Sequence, residues 1–191
     1  DDFETQDNDQ WFARLDYRFT KGAHQLRAGY SCEDRNYDER RARFPSGMPT
    51  GNAVTIQSHG LSLAHRYTWQ WAEARCRLTT SLGYQIERGD GGGYDDLQRL
   101  DARARFQWRR RPFDLTAELR YGRYFYDERQ VSQTNQSLRQ RDYWAARLEA
   151  SYALNQHVKL VVNYELRDHS GNRRADDYQY QILSTGFQFK F

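Results

Sequence analysis

Apolar and polar residues alternate position by position through nearly the whole chain. Val158, Leu160, Val162, Tyr164 and Leu166 alternate with Lys159, Val161, Asn163 and Glu165. Leu100, Ala102, Ala104, Phe106 and Trp108 alternate with Asp101, Arg103, Arg105, Gln107 and Arg109. The same pattern recurs around Trp11–Phe19, Leu26–Cys32, Ala74–Ile86, Phe113–Tyr121 and Ala146–Tyr152, and less cleanly from Leu61 to Trp69, where His65 falls on the apolar side. A period of two is the signature of β-strands with one oily face, and it excludes amphipathic helices.

Each run covers the roughly 9–11 residues that a tilted strand needs to cross a bilayer. Sandwich strands also alternate, but they are usually about five or six residues long. Aromatic residues gather at the strand ends (Trp11, Phe19, Tyr67, Trp69, Trp108, Phe113, Trp144, Tyr152), as in the interfacial girdles of membrane barrels. A mean hydropathy of −1.07 points toward a soluble or disordered chain. The 14 Tyr, 10 Phe and 5 Trp contradict disorder. No run approaches the roughly 18 apolar residues of a membrane helix, and no basic-plus-apolar leader opens the chain, so a signal peptide is either lacking or already removed. The expected fold is therefore all-β: an antiparallel transmembrane β-barrel, with about nine strands here and scope for a larger barrel.

The expected strands are 10–19, 24–35, 54–69, 73–88, 96–109, 113–128, 139–153, 157–168 and 177–191, with 1–9 an acidic segment or external loop before a barrel region of 10–191. Connections alternate in length. Short turns fall at 20–23, 70–72, 110–112 and 154–157; longer polar loops fall near 36–53, 88–96, 129–139 and 169–177. Barrels of the bacterial outer membrane keep short turns in the periplasm and long loops outside, which gives the expected orientation. Nine is odd, and the first and last strands would run parallel. The wall is therefore expected to need further strands or subunits.

The last residues, Ser184-Thr185-Gly186-Phe187-Gln188-Phe189-Lys190-Phe191, resemble the C-terminal targeting signal of outer-membrane barrels. That resemblance implies an assembly signal at Gly186, Phe187, Phe189 and Phe191, read by the barrel-assembly machinery. Tyr178, Tyr180 and Ile182 have the opposite parity, which predicts a bulge near Leu183 or an external extension of the strand. The stretch Tyr164–Asn172 with Asp176–Tyr178 and the final strand is similar to the last hairpin of porin-like and exopolysaccharide-export barrels. The arginine-studded face resembles that of small porins for acidic oligosaccharides.

If the oily face meets lipid, the other face carries Arg14, Asp16, Arg18, Arg27, Glu33, Arg35, Arg66, Arg75, Arg77, Arg103, Arg105, Arg109, Glu118, Arg120, Arg147, Glu149, Lys159, Glu165, Arg167 and Lys190. On the lipid side each Arg or Lys would cost about 2–4 kcal/mol at midplane, so these residues belong to a lumen. Arg14, Arg18, Arg27, Arg75, Arg77, Arg103, Arg105, Arg120, Arg147 and Arg167 are the candidate solute-binding residues. A planar guanidinium binds carboxylates and sulfates bidentately, and Tyr124 and Tyr126 are expected to stack on sugar rings. Two arrangements stay open: arginines paired with acids in a filled lumen, or surplus arginines lining a pore for anions.

The expected role is a passive channel for hydrophilic, anionic solutes such as acidic saccharides, in uptake or export, with outer-membrane lipid as its surroundings. A non-conducting scaffold for a partner complex is the alternative, and a lipid hydrolase or protease is a third class. For catalysis, His169 beside Ser170 is the nearest approach to a nucleophile–base pair, but adjacent strand residues point to opposite faces. The acid pairs Glu33-Asp34 and Asp95-Asp96 read as solvated loop charge. The expectation is no enzyme, no cofactor, no metal and no nucleic-acid partner. Cys32 and Cys76 are placed at opposite heights, too far apart for a disulfide.

Overall fold

The computed structural model describes residues 8–44, 48–90, 93–132 and 135–189. They form one antiparallel sheet of nine strands in chain order: β1 (Asn8–Lys21), β2 (His24–Arg43), β3 (Pro49–Trp71), β4 (Ala74–Gly89), β5 (Leu97–Arg110), β6 (Phe113–Gln130), β7 (Leu138–Ala153), β8 (Val158–Gly171) and β9 (Tyr178–Phe189). A 3-10 turn at Arg174–Asp176 is the one helical piece among the described residues. The all-β class and the nine strands are as expected. The sheet is open, with β1 and β9 as its edges.

Register carries the sequence alternation from strand to strand. Leu15 lies opposite Tyr30, Tyr30 opposite Leu61, Leu61 opposite Tyr84 and Tyr84 opposite Leu100. A neighbouring row on the other face, Arg18–Arg27–Ala64–Ser81–Arg103–Arg120–Ala145–Arg167–Tyr180, crosses all nine strands. A one-residue slip of any strand would exchange its arginines for its leucines, so the pattern itself pins the register. The result is a wall with one oily face and one charged face.

Among the described residues, nothing packs on the oily face. Leu15 is 73% exposed, Leu82 57% and Leu119 57%, values that core leucines never show. Among the described residues, the only buried apolar ones are Ala74, Cys76 and a small cluster of Tyr37, Val54 and Ile56. The accessible surface is 13387 Å², whereas a compact soluble protein of 22.8 kDa exposes about 9,600 Å².

Tight turns join alternate strand pairs. Gly22-Ala23 links β1 to β2 with φ of +56° at Gly22, and Ala72-Glu73 links β3 to β4 with φ of +53° at Ala72. Positive φ suits the twist of two-residue hairpins, and glycine adopts it without penalty. The opposite ends carry the longer connections.

Several sequence expectations need correction. The stretch 36–53 is largely strand: β2 has 20 residues and β3 has 23, and they stay paired beyond Tyr37 through register shifts. His169 and Ser170 lie within β8, not in a loop. No bulge occurs near Leu183, because β8 and β9 keep one register from His169–Tyr178 to Val158–Phe189. Tyr178, Tyr180 and Ile182 therefore share the charged face, and Leu183, 70% exposed, takes the oily one. Asn8 and Asp9 already belong to β1, while residues 1–7 lie outside the described residues. Both cysteines are free; Cys76 is buried on the oily face between Trp69 and Trp108.

Candidate functional site

The charged face is the candidate site. Strand pairing puts Arg14, Arg18, Arg27, Arg75, Arg77, Arg103, Arg105, Arg120, Arg147 and Arg167 on this one face, together with Arg66 and Arg109. Their electrostatic situations differ, and three regions separate.

In the middle of the sheet most arginines have acids. Glu118, its side chain 7% exposed, accepts from Arg103 at 2.5 Å and from Arg120, and lies 3.8 Å from Arg105. Arg103 and Arg120 are direct cross-strand neighbours, so without Glu118 two like charges would face each other. Asp16 serves Arg14 at 2.8 Å and Arg27 at 3.0 Å. Arg147 meets Glu149 at 3.2 Å, and Arg167 meets Glu165 at 2.5 Å. These pairs at i and i+2 stand side by side on one face, as strand geometry requires.

Toward the long loops the face becomes aromatic. Asp101, Gly122, Tyr143, His169 and Tyr178 form one cross-strand row. The Tyr143 ring lies over Gly122, in the space a Cβ would need, and its hydroxyl donates to Asp101 at 2.7 Å. His169 stacks between Tyr143 and Tyr178, with ring centroids 5.7 and 4.3 Å away. Arg99 and Arg141 lie over Tyr124 at 5.2 and 5.0 Å, while Arg129 and Arg139 both lie over Tyr126 at 5.2 Å. Guanidinium groups therefore already cover the rings expected to stack on sugars, and cation–π contact accounts for their placement. Above this region Arg139 and Asp176 form a buried pair, Nε to Oδ2 at 2.9 Å, that ties β7 to the 3-10 turn.

Toward the short turns most arginines of this face lack an ion partner, although Asp114 lies opposite Arg109 and pairs with Lys159 at 3.4 Å. Among the described residues, Arg18, Arg66, Arg75, Arg77 and Arg109 make no ion pair. Arg75 is directly opposite Arg109, and Arg77 lies within electrostatic reach of Arg66, Arg75, Arg105 and Arg109. Among the described residues Arg77 makes one side-chain hydrogen bond, a weak one to Gln107 at 3.5 Å. A cleft of about 450 Å³ runs over Arg18, Arg27, Arg66, Arg77, Arg103 and Arg105.

The sequence candidates thus share a face but not a chemistry. Arg66 and Arg109 belong with the bare group, although they were not among the ten solute-binding candidates. Arg99, Arg141 and Tyr143 fall inside the expected strands 96–109 and 139–153 but outside the alternating runs read from them, whereas His169 lies one residue past the expected end of 157–168; continuing each alternation outward finds all four. Gly186, Phe187 and Phe189 lie on β9, with Phe187 and Phe189 on the oily face at 61% exposure each. Phe191 and Lys190 lie outside the described residues. His169 and Ser170 pair with Tyr178 and Asp142 respectively, on opposite faces. No group of three metal-ligating side chains is present among the described residues.

What this fold and face define is an antiparallel sheet of the β-barrel type, open at both edges, oily on one face and arginine-rich on the other. No family model matches the chain, and no curated protein matches it. Among solved structures it is similar to the ferric yersiniabactin uptake receptor FyuA from Yersinia pestis, with 10% identity and a TM-score of 0.42. The match covers 95% of this chain and 34% of the receptor, so the chain spans about a third of that protein's length.

Proposed function

We propose that this sheet is part of the wall of a bacterial outer-membrane β-barrel channel that passes hydrophilic, anionic solutes such as acidic saccharides, in uptake or export. The observation that carries the reading is the bare oily face. Alternate residues over about nine positions per strand are apolar and uncovered, matching the height of a bilayer crossed by tilted strands. Lipid satisfies that face, and the arginines then border water. Short turns face the periplasm and the longer β2–β3 hairpin faces outward, in the usual barrel arrangement. Phe187 and Phe189 on the oily face suit recognition by the barrel-assembly machinery.

Mechanistically, the arginine face lowers the entry barrier for anions, while Glu118, Asp16, Glu149 and Glu165 keep it from holding them too tightly. The channel is passive, without catalysis or cofactor. β1 and β9 both run toward the short turns and are therefore parallel to each other, so an antiparallel wall closes only through an odd number of further strands. Those strands are its proposed partners.

Reconstitution in planar bilayers tests the reading. The expected result is a reversal potential favouring anions, with the selectivity falling as salt rises toward 1 M, where the Debye length is about 3 Å. Cation selectivity would overturn the anion channel. Stable membrane insertion with no conductance would favour the second reading, a non-conducting scaffold, which the Glu118 cluster of paired arginines supports.

A further inference from the structure

We infer that the anion-binding site on this face is confined to its short-turn third, where Arg66, Arg75, Arg77 and Arg109 hold solute, and that the arginines paired in the middle of the sheet are structural. The inference rests on the channel reading above and locates its binding site. Its physical basis is a cost that the fold leaves uncompensated. Arg75 and Arg109 are directly opposed like charges, an arrangement that destabilises a sheet. Elsewhere on the same face the equivalent clash is relieved: Arg103 and Arg120 are also opposed, and Glu118 bridges both. Around Arg75, Arg77 and Arg109 the one facing carboxylate among the described residues is Asp114, directly opposite Arg109 on β6, and its ion pair goes to Lys159 at 3.4 Å and not to any of the three arginines. The Arg77 Nε is buried without a hydrogen-bond partner, a property shared by the Nε of Arg105 across the cleft, so unmet donors border it on both sides.

The rows on β3, β4 and β5 place these side chains close together. Arg66 pairs with Thr79, Thr68 with Arg77, Gln70 with Arg75, and Arg75 with Arg109. Hydroxyl and amide side chains therefore stand beside Arg66, Arg77 and Arg75 across β3 and β4, while Arg75 and Arg109 face each other directly. The cleft is lined by Arg66 and Arg77 together with Arg27, Arg103 and Arg105, while Arg75 and Arg109 lie beyond its lining toward the turns. Such a site recognises a chain with repeated oxyanion groups, because several forks act at once and each is short of a partner. A single small anion can bridge at most an opposed pair, as the Glu118 carboxylate bridges Arg103 and Arg120. Carboxylated and phosphorylated chains share that chemistry.

The discriminating experiment is titration of the full chain in detergent micelles with trigalacturonate and, separately, with inorganic tripolyphosphate. The variants are Arg75→Gln/Arg77→Gln/Arg109→Gln and, as the contrast, Arg120→Gln/Arg147→Gln/Arg167→Gln. The bare-set variant is expected to lose more than about tenfold in affinity, since each charge-assisted contact is worth roughly that factor. The paired-set variant is expected to change less than about threefold. Stronger loss with trigalacturonate assigns the saccharide source, and stronger loss with tripolyphosphate assigns a phosphorylated one. Equal losses in the two variants, or no binding of either probe by the unaltered chain, overturn the inference. The bare-set variant removes repulsion and should fold at least as well; an unchanged heat-modified shift on gels checks this. Anion selectivity in bilayers with equal losses in the two variants would leave the channel standing and remove only the localisation.

Discussion

At the scale of single residues, the charged face shows that arginine is not one functional category. Arg103, Arg105 and Arg120 look equivalent to Arg75 and Arg77 in the sequence, since all sit at alternate positions on one face. Their energetics are set by one carboxylate on a neighbouring strand. Glu118→Gln should destabilise the folded chain by about 1–3 kcal/mol, because two directly opposed arginines lose the group between them. The partial exposure of those arginines keeps the cost below that of a fully buried pair. Denaturant unfolding in micelles reads the effect, and adding Arg103→Gln should recover part of it. A midpoint unmoved by Glu118→Gln would mean that the cluster has no structural weight.

At the scale of elements, each strand is a two-sided object whose sides have opposite requirements. Ser81 and Leu82 are adjacent on β4, one beside Ala64 and Arg103, the other beside Leu63 and Ala102. Leu82→Lys should cost about 2–4 kcal/mol near the midplane and impair insertion into lipid vesicles, whereas Ser81→Lys should insert normally. Protease protection after vesicle insertion measures both; equal behaviour would contradict the two-faced wall. The same logic explains β9. Its parity puzzle vanishes once Tyr178, Tyr180 and Ile182 join the charged face beside His169, Arg167 and Glu165, leaving Leu183 and Phe187 for the oily side. At bilayer depth an apolar residue is tolerated on either face and a charged one only on the aqueous face; charges of oily-face parity such as Arg123, Asp142 and Asp168 sit toward the long-loop ends of their strands. Parity is therefore best read from the charges.

At the scale of the whole molecule, the open edges dominate. β1 and β9 run in the same direction, so direct closure would place a parallel seam in an otherwise antiparallel wall. Cysteine pairs along the two edges, such as Ala13→Cys with Thr185→Cys in a chain lacking Cys32 and Cys76, should give no intramolecular disulfide. An efficient cross-link would show that the nine strands close on themselves. The accessible surface, well above that of a compact soluble protein of the same mass, agrees with a wall and not a globule.

The alternation of side chains by itself determined the β class, the nine strands, the two faces and the short-turn connections, because a period of two leaves a chain few other ways to segregate oil from charge. Only the tertiary structure decided which arginines are neutralised. The Arg103–Glu118 contact joins positions 15 residues apart and depends on strand register, as does the Arg75–Arg109 opposition. Register also placed Tyr143 over Gly122 and drew His169 into a stack. Periodicity is a property of one strand and is readable along the chain. Charge compensation is a property of neighbouring strands, and it exists only once they lie side by side.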